Sequence, residues 1–119
     1  MGLFSKIFSR NENAVPQTPA VPLDKSQPGS LIIEDIFTVT GRGTIITGEI
    51  QNGFFYVGQK AAIVSEVGEI PTVINGVEQF AKTLEYAGPG EKVGLLLQGI
   101  SRDNVNAGDT IQGITEQQQ

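Results

Sequence analysis

The sequence predicts an all-β fold: a closed six-stranded antiparallel β-barrel that follows an N-terminal extension, which is disordered or partly helical. Glycine is frequent, with 15 residues among 119, as is typical of turn-dense β structure. From residue 31 onward, short apolar runs alternate with turns that contain glycine, which is the pattern of an all-β domain. Ile32, Ile36 and Leu96 add apolar side chains on opposite faces of these runs, as expected where strands bend around a barrel.

Residues 1–10, "MGLFSKIFSR", are predicted to form a short amphipathic segment. In a helix its apolar residues share one face; they are Leu3, Phe4, Ile7 and Phe8. The run is too short for a membrane span or for the core of a signal peptide. Two interpretations stay open: a docking segment that contacts a membrane surface or a partner, and a frayed chain start, because isolated helices of this length are marginal.

Residues 11–30 are predicted to be an extended, solvated linker, because each proline removes a backbone donor and disfavours helix before it. The prolines are Pro16, Pro19, Pro22 and Pro28. The barrel domain is expected to span residues 31–115. Residues 116–119 are polar and are expected to be a disordered tail.

Six strands are predicted within the barrel domain, near residues 31–40, 44–51, 60–66, 69–79, 91–100 and 110–115. Alternation with period two places every second side chain of a strand on one face. In the first strand this set is Leu31, Ile33, Phe37 and Val39. The same alternation selects Ile46 and Ile50 in the second strand, and Val93, Leu95 and Leu97 in the fifth.

The composition argues against an enzyme. The chain has no cysteine and no histidine, which removes thiolate chemistry, zinc-thiolate sites and the commonest general base. Glu34 and Asp35 are neighbours on a strand, so their side chains point to opposite faces and cannot form a paired dyad. We therefore expect no catalysis, no metal and no cofactor. The net charge of −5 also disfavours contact with a phosphate backbone.

Two glycine-rich loops do not fit nucleotide-binding motifs. "GRGTIITG", residues 41–48, continues into β-branched residues, whereas a dinucleotide fingerprint must lead into a helix. "GPGEKVG", residues 88–94, lacks the spacing of a phosphate-binding loop. Gly41 and Gly43 are instead predicted to let the first hairpin reverse, with Arg42 at its exposed tip.

Several stretches, in order along the chain, resemble the second domain of bacterial elongation factor Tu. They are "IEDIFTVTGRGTIITGEI", "GFFYVGQKAAIV", "INGVEQF", "GPGEKVGLLLQGI" and "AGDTI". The resemblance implies the closed six-stranded antiparallel barrel shared by translational GTPases, here as a free-standing copy. Since a proline-rich linker stands where the family's GTPase domain should lie, we expect no GTP binding.

The resemblance also implies a site, because in the family this barrel holds the 3′ end of aminoacyl-tRNA. The matching positions are Glu34, Asp35, Phe37, Thr47 and Glu78. The loop matching Gly41, Arg42 and Gly43 faces ribosomal RNA in the relatives. For each of these residues the alternative is a structural role: a packed side chain, a solvated carboxylate, or an arginine on an exposed turn.

Basic residues of the family are replaced at five positions, which are Glu49, Asn52, Tyr56, Ala81 and Gln98. Lys92 stands where the family has an asparagine. Because each lost phosphate contact weakens nucleic-acid binding, RNA binding is expected to be disfavoured unless other cations compensate.

Three functions remain open from the sequence. The first is a non-enzymatic protein-interaction module of unknown partner. The second is a translation-linked RNA binder that retains the pocket for the 3′ end of aminoacyl-tRNA or contacts the ribosome. In the third, residues 1–10 contact a membrane surface and the barrel is a scaffold. The lack of cysteine suits a cytoplasmic protein.

Overall fold

The structure, a computed structural model, describes residues 26–114, which form β structure apart from one 3₁₀ turn. The predicted segments at residues 1–10 and 116–119, with Leu3, Phe4, Ile7 and Phe8, lie outside the described residues, as do residues 11–25 of the predicted linker. The strands are β1 (Ser30–Ile32), β2 (Asp35–Val39), β3 (Gly43–Asn52), β4 (Phe55–Tyr56), β5 (Lys60–Ser65), β6 (Gly68–Gln79), β7 (Lys82–Leu84), β8 (Tyr86–Ala87), β9 (Lys92–Leu97) and β10 (Thr110–Gly113). The 3₁₀ turn, Arg102–Asn104, lies between β9 and β10. In this part of the chain, no helix has the length and apolar character needed to cross a membrane.

Six strands close into a barrel, in the order β1, β10, β5, β6, β9 and β3. Every neighbouring pair is antiparallel, and β1 pairs with β3 as well as with β10, which closes the ring. The predicted closed six-stranded antiparallel barrel is therefore confirmed. Closure leaves these six strands with few unpaired edges, which is how a small β domain avoids exposing its backbone.

The barrel interior is filled by alternate side chains from the six strands and by Phe55 of β4. These buried residues include Leu31, Ile33, Ile46, Ile50, Ile63, Ile74, Val77, Leu95, Leu97 and Ile111. Burying one such aliphatic or aromatic side chain stabilises the fold by about 1.5–3 kcal/mol. Seven of the nine side chains that the period-two pattern selected are buried, and the exceptions are Phe37 and Val39.

The first predicted strand is broken by a β-bulge, and this changes which of its side chains face outward. Asp35 lies opposite Thr47 in the register, and the Glu34 amide also donates to the Thr47 carbonyl at 2.7 Å. Two residues of one strand thus oppose a single residue of β3, which shifts the alternation by one. The prediction that Phe37 shares one face with Leu31 and Ile33, which are buried, is therefore wrong. Its side chain is 51% exposed, and Ile36 packs against the core instead.

Three short strands were not predicted, and they lie outside the barrel ring. β7 forms a hairpin with the end of β6, and β4 pairs with β8 in a separate two-stranded sheet. The chain enters beside this small sheet. The Phe54 amide donates to the Gln27 carbonyl at 2.8 Å, and Pro28 forms an isolated bridge with Phe54. The last residues of the predicted linker consequently lie against the barrel.

Candidate functional site

A shallow cleft of about 240 Å³ lies on the outer face of the barrel. It is lined by Glu34, Thr47, Gly48, Glu78, Gln79, Phe80, Lys92, Val93 and Gly94. The register explains its position, because Thr47 of β3 lies opposite Gly94 of β9, which lies opposite Glu78 of β6. The central residue of this row has no side chain, so the surface dips between its two neighbours.

The structure brings together three of the five residues that the family resemblance implies. Glu34, Thr47 and Glu78 line the cleft. Asp35 lies outside the lining, although it is directly opposite Thr47 on the neighbouring strand. Phe37 also lies outside, one row away, opposite Ile45. The cleft therefore contains Glu34, Thr47 and Glu78, while Asp35 and Phe37 lie beside it.

Both carboxylates of the cleft are engaged by cations of the same chain. The Arg42 guanidinium donates to Glu78, and the Lys92 ammonium nitrogen lies 3.4 Å from a Glu34 carboxylate oxygen. Arg42 precedes β3 while Glu78 is on β6, so the first ion pair bridges the intervening strand, β9. These groups are substantially exposed, where such pairs contribute little to stability. These ion pairs matter for binding, because a ligand would have to compete with Arg42 for Glu78 and with Lys92 for Glu34.

The hairpin that carries Arg42 closes through a glycine turn, as the sequence predicts. The Arg42 amide donates to the Val39 carbonyl at 2.9 Å, and Gly41 has φ 81°. That positive φ at the third position of a turn is readily adopted by glycine. The turn holds the arginine at the exposed tip, from which its side chain folds back onto the barrel.

The cations of the described residues do not converge on one cavity. Arg42 and Lys92 act at the cleft, and Lys82 lies opposite Gln79 of its lining. Lys60 lines a different groove with Pro71 and Ile114. Arg102 donates from Nη1 to the Ile36 carbonyl at 2.9 Å. At the cleft, Arg42 and Lys92 are each paired with a carboxylate. The described residues therefore do not form a focused basic patch of the kind that grips a phosphate backbone.

Sequence reasoning missed the hairpin turn that borders the cleft. Phe80 and Ala81 join β6 to β7 with φ 50° and 67°, as in a two-residue type I′ turn, whose usual residues are asparagine and glycine. Each left-handed non-glycine residue costs of order 1 kcal/mol. The turn presents the Phe80 ring, 87% exposed, at the rim of the cleft. Asparagine and glycine, the usual residues of such a turn, are absent here, so nothing in the sequence marks this turn.

An apolar row lies beside the cleft on the same outer face. Phe37 of β2 is opposite Ile45 of β3, which is opposite Leu96 of β9. Ile45 and Leu96 are half-buried, and their strand neighbours point into the core. We call Phe37, Ile45 and Leu96 the outer apolar row. One exposed and two partly exposed apolar side chains in adjacent strands thus form a continuous apolar surface.

The fold and the cleft together define a small closed β-barrel module with a shallow polar cleft on its outer face. In a comparison with protein families, the model of elongation factor Tu domain 2 matches residues 43–112, more than half of the chain. The chain belongs to this family. The match runs from β3 to β10 and includes Thr47 and Glu78, whereas Glu34, Asp35 and Phe37 precede it.

Proposed function

We propose that this chain is a non-enzymatic binding module whose partner is a protein that packs on the outer apolar row. The exposure of Phe37 carries the proposal. Aromatic side chains, phenylalanine among them, are enriched in protein interfaces relative to the rest of the surface. Asp35 and Glu34 border the row, so a partner with basic groups around an apolar contact would complement it.

The charges of the described residues support a protein partner over RNA. Residues 26–114 contain ten acidic and five basic side chains. Three of the basic residues, Arg42, Lys92 and Arg102, already bind acceptors of their own chain. RNA would have to compete for these groups, and phosphate contacts supply most of non-specific affinity.

Affinity capture from a native lysate tests this function, using the full chain with and without RNase. The wild-type protein is expected to retain a defined, RNase-resistant protein. Phe37→Ala should weaken retention by about 30-fold if Phe37 is an interface hot spot worth about 2 kcal/mol. The matched control is Val67→Ala, because Val67 is an apolar residue 96% exposed on the β5–β6 hairpin, away from the row.

Two results would reject the proposal. One is equal retention of the protein by Phe37→Ala and the wild type. The other is capture of tRNA or ribosomes that is abolished by RNase, since this would support the RNA-binding alternative described below.

The alternative is a translation-linked RNA binder that receives the 3′ end of aminoacyl-tRNA in the cleft. The convergence of Glu34, Thr47 and Glu78, with Phe80 at the rim, supports it. Two features count against it. The cleft volume of about 240 Å³ is below the range of roughly 300–1,000 Å³ for ligand pockets. In addition, Arg42 occupies the carboxylate of Glu78.

A further inference from the structure

One edge of strand β2 has no neighbouring strand among the described residues. β2 stands at the end of the strand order in the large sheet and pairs with β3 alone. Three of its five residues are exposed. The other strands outside the barrel ring contain two or three residues each, too few to offer a comparable edge. The backbone groups of an open edge can pair with another chain.

The register identifies which backbone groups of β2 point away from β3. The Glu34 amide donates to the Thr47 carbonyl at 2.7 Å, so this carbonyl of β3 points toward β2. Asp35 lies opposite Thr47 and therefore bonds to β3. Because the direction of the bonds alternates along an antiparallel strand, the amides and carbonyls of Ile36 and Thr38 point outward.

Three of these four outward groups make no hydrogen bond within the described part of the chain. The exception is the Ile36 carbonyl, which accepts the bond from Arg102 at 2.9 Å. The Ile36 amide and both backbone groups of Thr38 are free. Apart from Arg102 and the bulge at its start, β2 has no lysine or proline to protect its edge. Its β-branched and aromatic residues also favour strand pairing.

We propose that an extended segment of the protein partner adds to this edge as a further strand, with its hydrogen bonds centred on Thr38. This inference rests on the proposed function, since it specifies how the partner meets the outer apolar row. In strand addition, main-chain hydrogen bonds provide affinity and alternate side chains provide specificity. A strand beside β2 lengthens the outer apolar row by one position, next to Phe37.

The side chains of β2 predict the chemistry of that segment. Phe37 and Asp35 are two positions apart, so they share one face of the strand. Phe37 favours an apolar cross-strand neighbour. Asp35 is exposed and makes no ion pair with the described residues, so it favours a lysine or an arginine. β2 itself has no basic residue, so the same strand of a second copy does not supply this pair.

An amide NMR titration of the full chain with a synthetic peptide tests strand addition. The probe alternates valine and threonine, with a lysine in place of the valine two positions from the central one. We expect saturable shifts and slower hydrogen exchange at the amides of Ile36 and Thr38. Thr38→Pro should weaken binding by about 10-fold, because it removes one outward donor. Thr38→Val keeps that donor and is the matched control.

Thr38→Pro removes no hydrogen bond to β3, and proline is tolerated on an edge strand where its nitrogen faces outward. Thermal melting confirms that this variant is folded. Peptides methylated on backbone nitrogens give a second test that leaves the protein unchanged. Methylation of the amides that face β2 should abolish binding, whereas methylation of the alternate amides should preserve it.

Four results would overturn strand addition. The first is no binding of the unmodified peptide to the wild type, and the second is equal loss of binding with both methylated peptides. The third is binding that Thr38→Pro leaves unchanged and Phe37→Ala abolishes, which would leave the proposed function intact. The fourth is protection of the Ile36 and Thr38 amides in the free chain that disappears on dilution, because the occupant would then be a second copy.

Discussion

Phe55→Ala is expected to lower the free energy of unfolding by about 3–5 kcal/mol, the usual cost of removing a buried phenylalanine ring. Phe55 is completely buried, and its ring lies so close to Gly29 that a Cβ atom there would be 2.5 Å away. The ring therefore joins β4 to the entering chain and to the barrel core. Since small domains have roughly 5–15 kcal/mol of stability in total, this loss would consume much of it.

Urea denaturation followed by far-UV circular dichroism measures this effect. Val57→Ala is the matched control, because Val57 is two residues away and exposed, and exposed substitutions usually change stability by no more than about 0.5 kcal/mol. A loss below about 1 kcal/mol for Phe55→Ala would contradict the large cost of a buried ring, and with it the assignment of Phe55 to the core.

Gly48→Ala should destabilise the barrel by about 3 kcal/mol or more, above the usual cost of added core volume because backbone must move. Gly48 lies where β3 passes from pairing with β2 to pairing with β1. An added Cβ atom would be 2.4 Å from the Ile32 carbonyl oxygen and 2.7 Å from the Leu31 side chain. To relieve these contacts β1 has to separate from β3, at the seam where the barrel closes.

Hydrogen exchange at the amide of Leu31, measured beside urea denaturation, shows whether the seam opens. Gly76→Ala is the control within another strand: its new Cβ atom would be 3.4 Å from Leu96, an ordinary contact, and its φ is not positive. Gly76→Ala should therefore be nearly neutral in stability. If Gly48→Ala were equally neutral, β1 and β3 could not approach each other as closely at Gly48 as described.

The six barrel strands were predictable because alternating apolar residues and glycine turns mark them locally. The bulge at Glu34 and Asp35 was not, because residues 31–39 contain no glycine or proline that would mark a break. Its effect is large, since a shift of one residue places Phe37 on the surface and not on the face that Leu31 and Ile33 share. β4, β7 and β8 contain two or three residues each, too few for any periodicity to appear.

The site was predictable only in part, through resemblance. Glu34, Thr47 and Glu78 were named from matching motifs, and the register brings them together. The ion pairs were not predictable, because Arg42 and Glu78 are 36 residues apart and Glu34 and Lys92 are 58 apart. Such contacts depend on which strands become neighbours. The turn at Phe80 lacked the asparagine or glycine by which hairpins are usually recognised.

The central claim is that the outer face of this barrel offers an apolar surface to a protein and too few free cations to RNA. An NMR titration of the full chain with a single-stranded RNA ending in 3′-CCA, at low salt, tests it most directly. The account predicts no saturable shifts of Thr47, Glu78 or Gly94. Saturable shifts at these three residues, weakened by added salt and lost in Glu78→Ala, would contradict it.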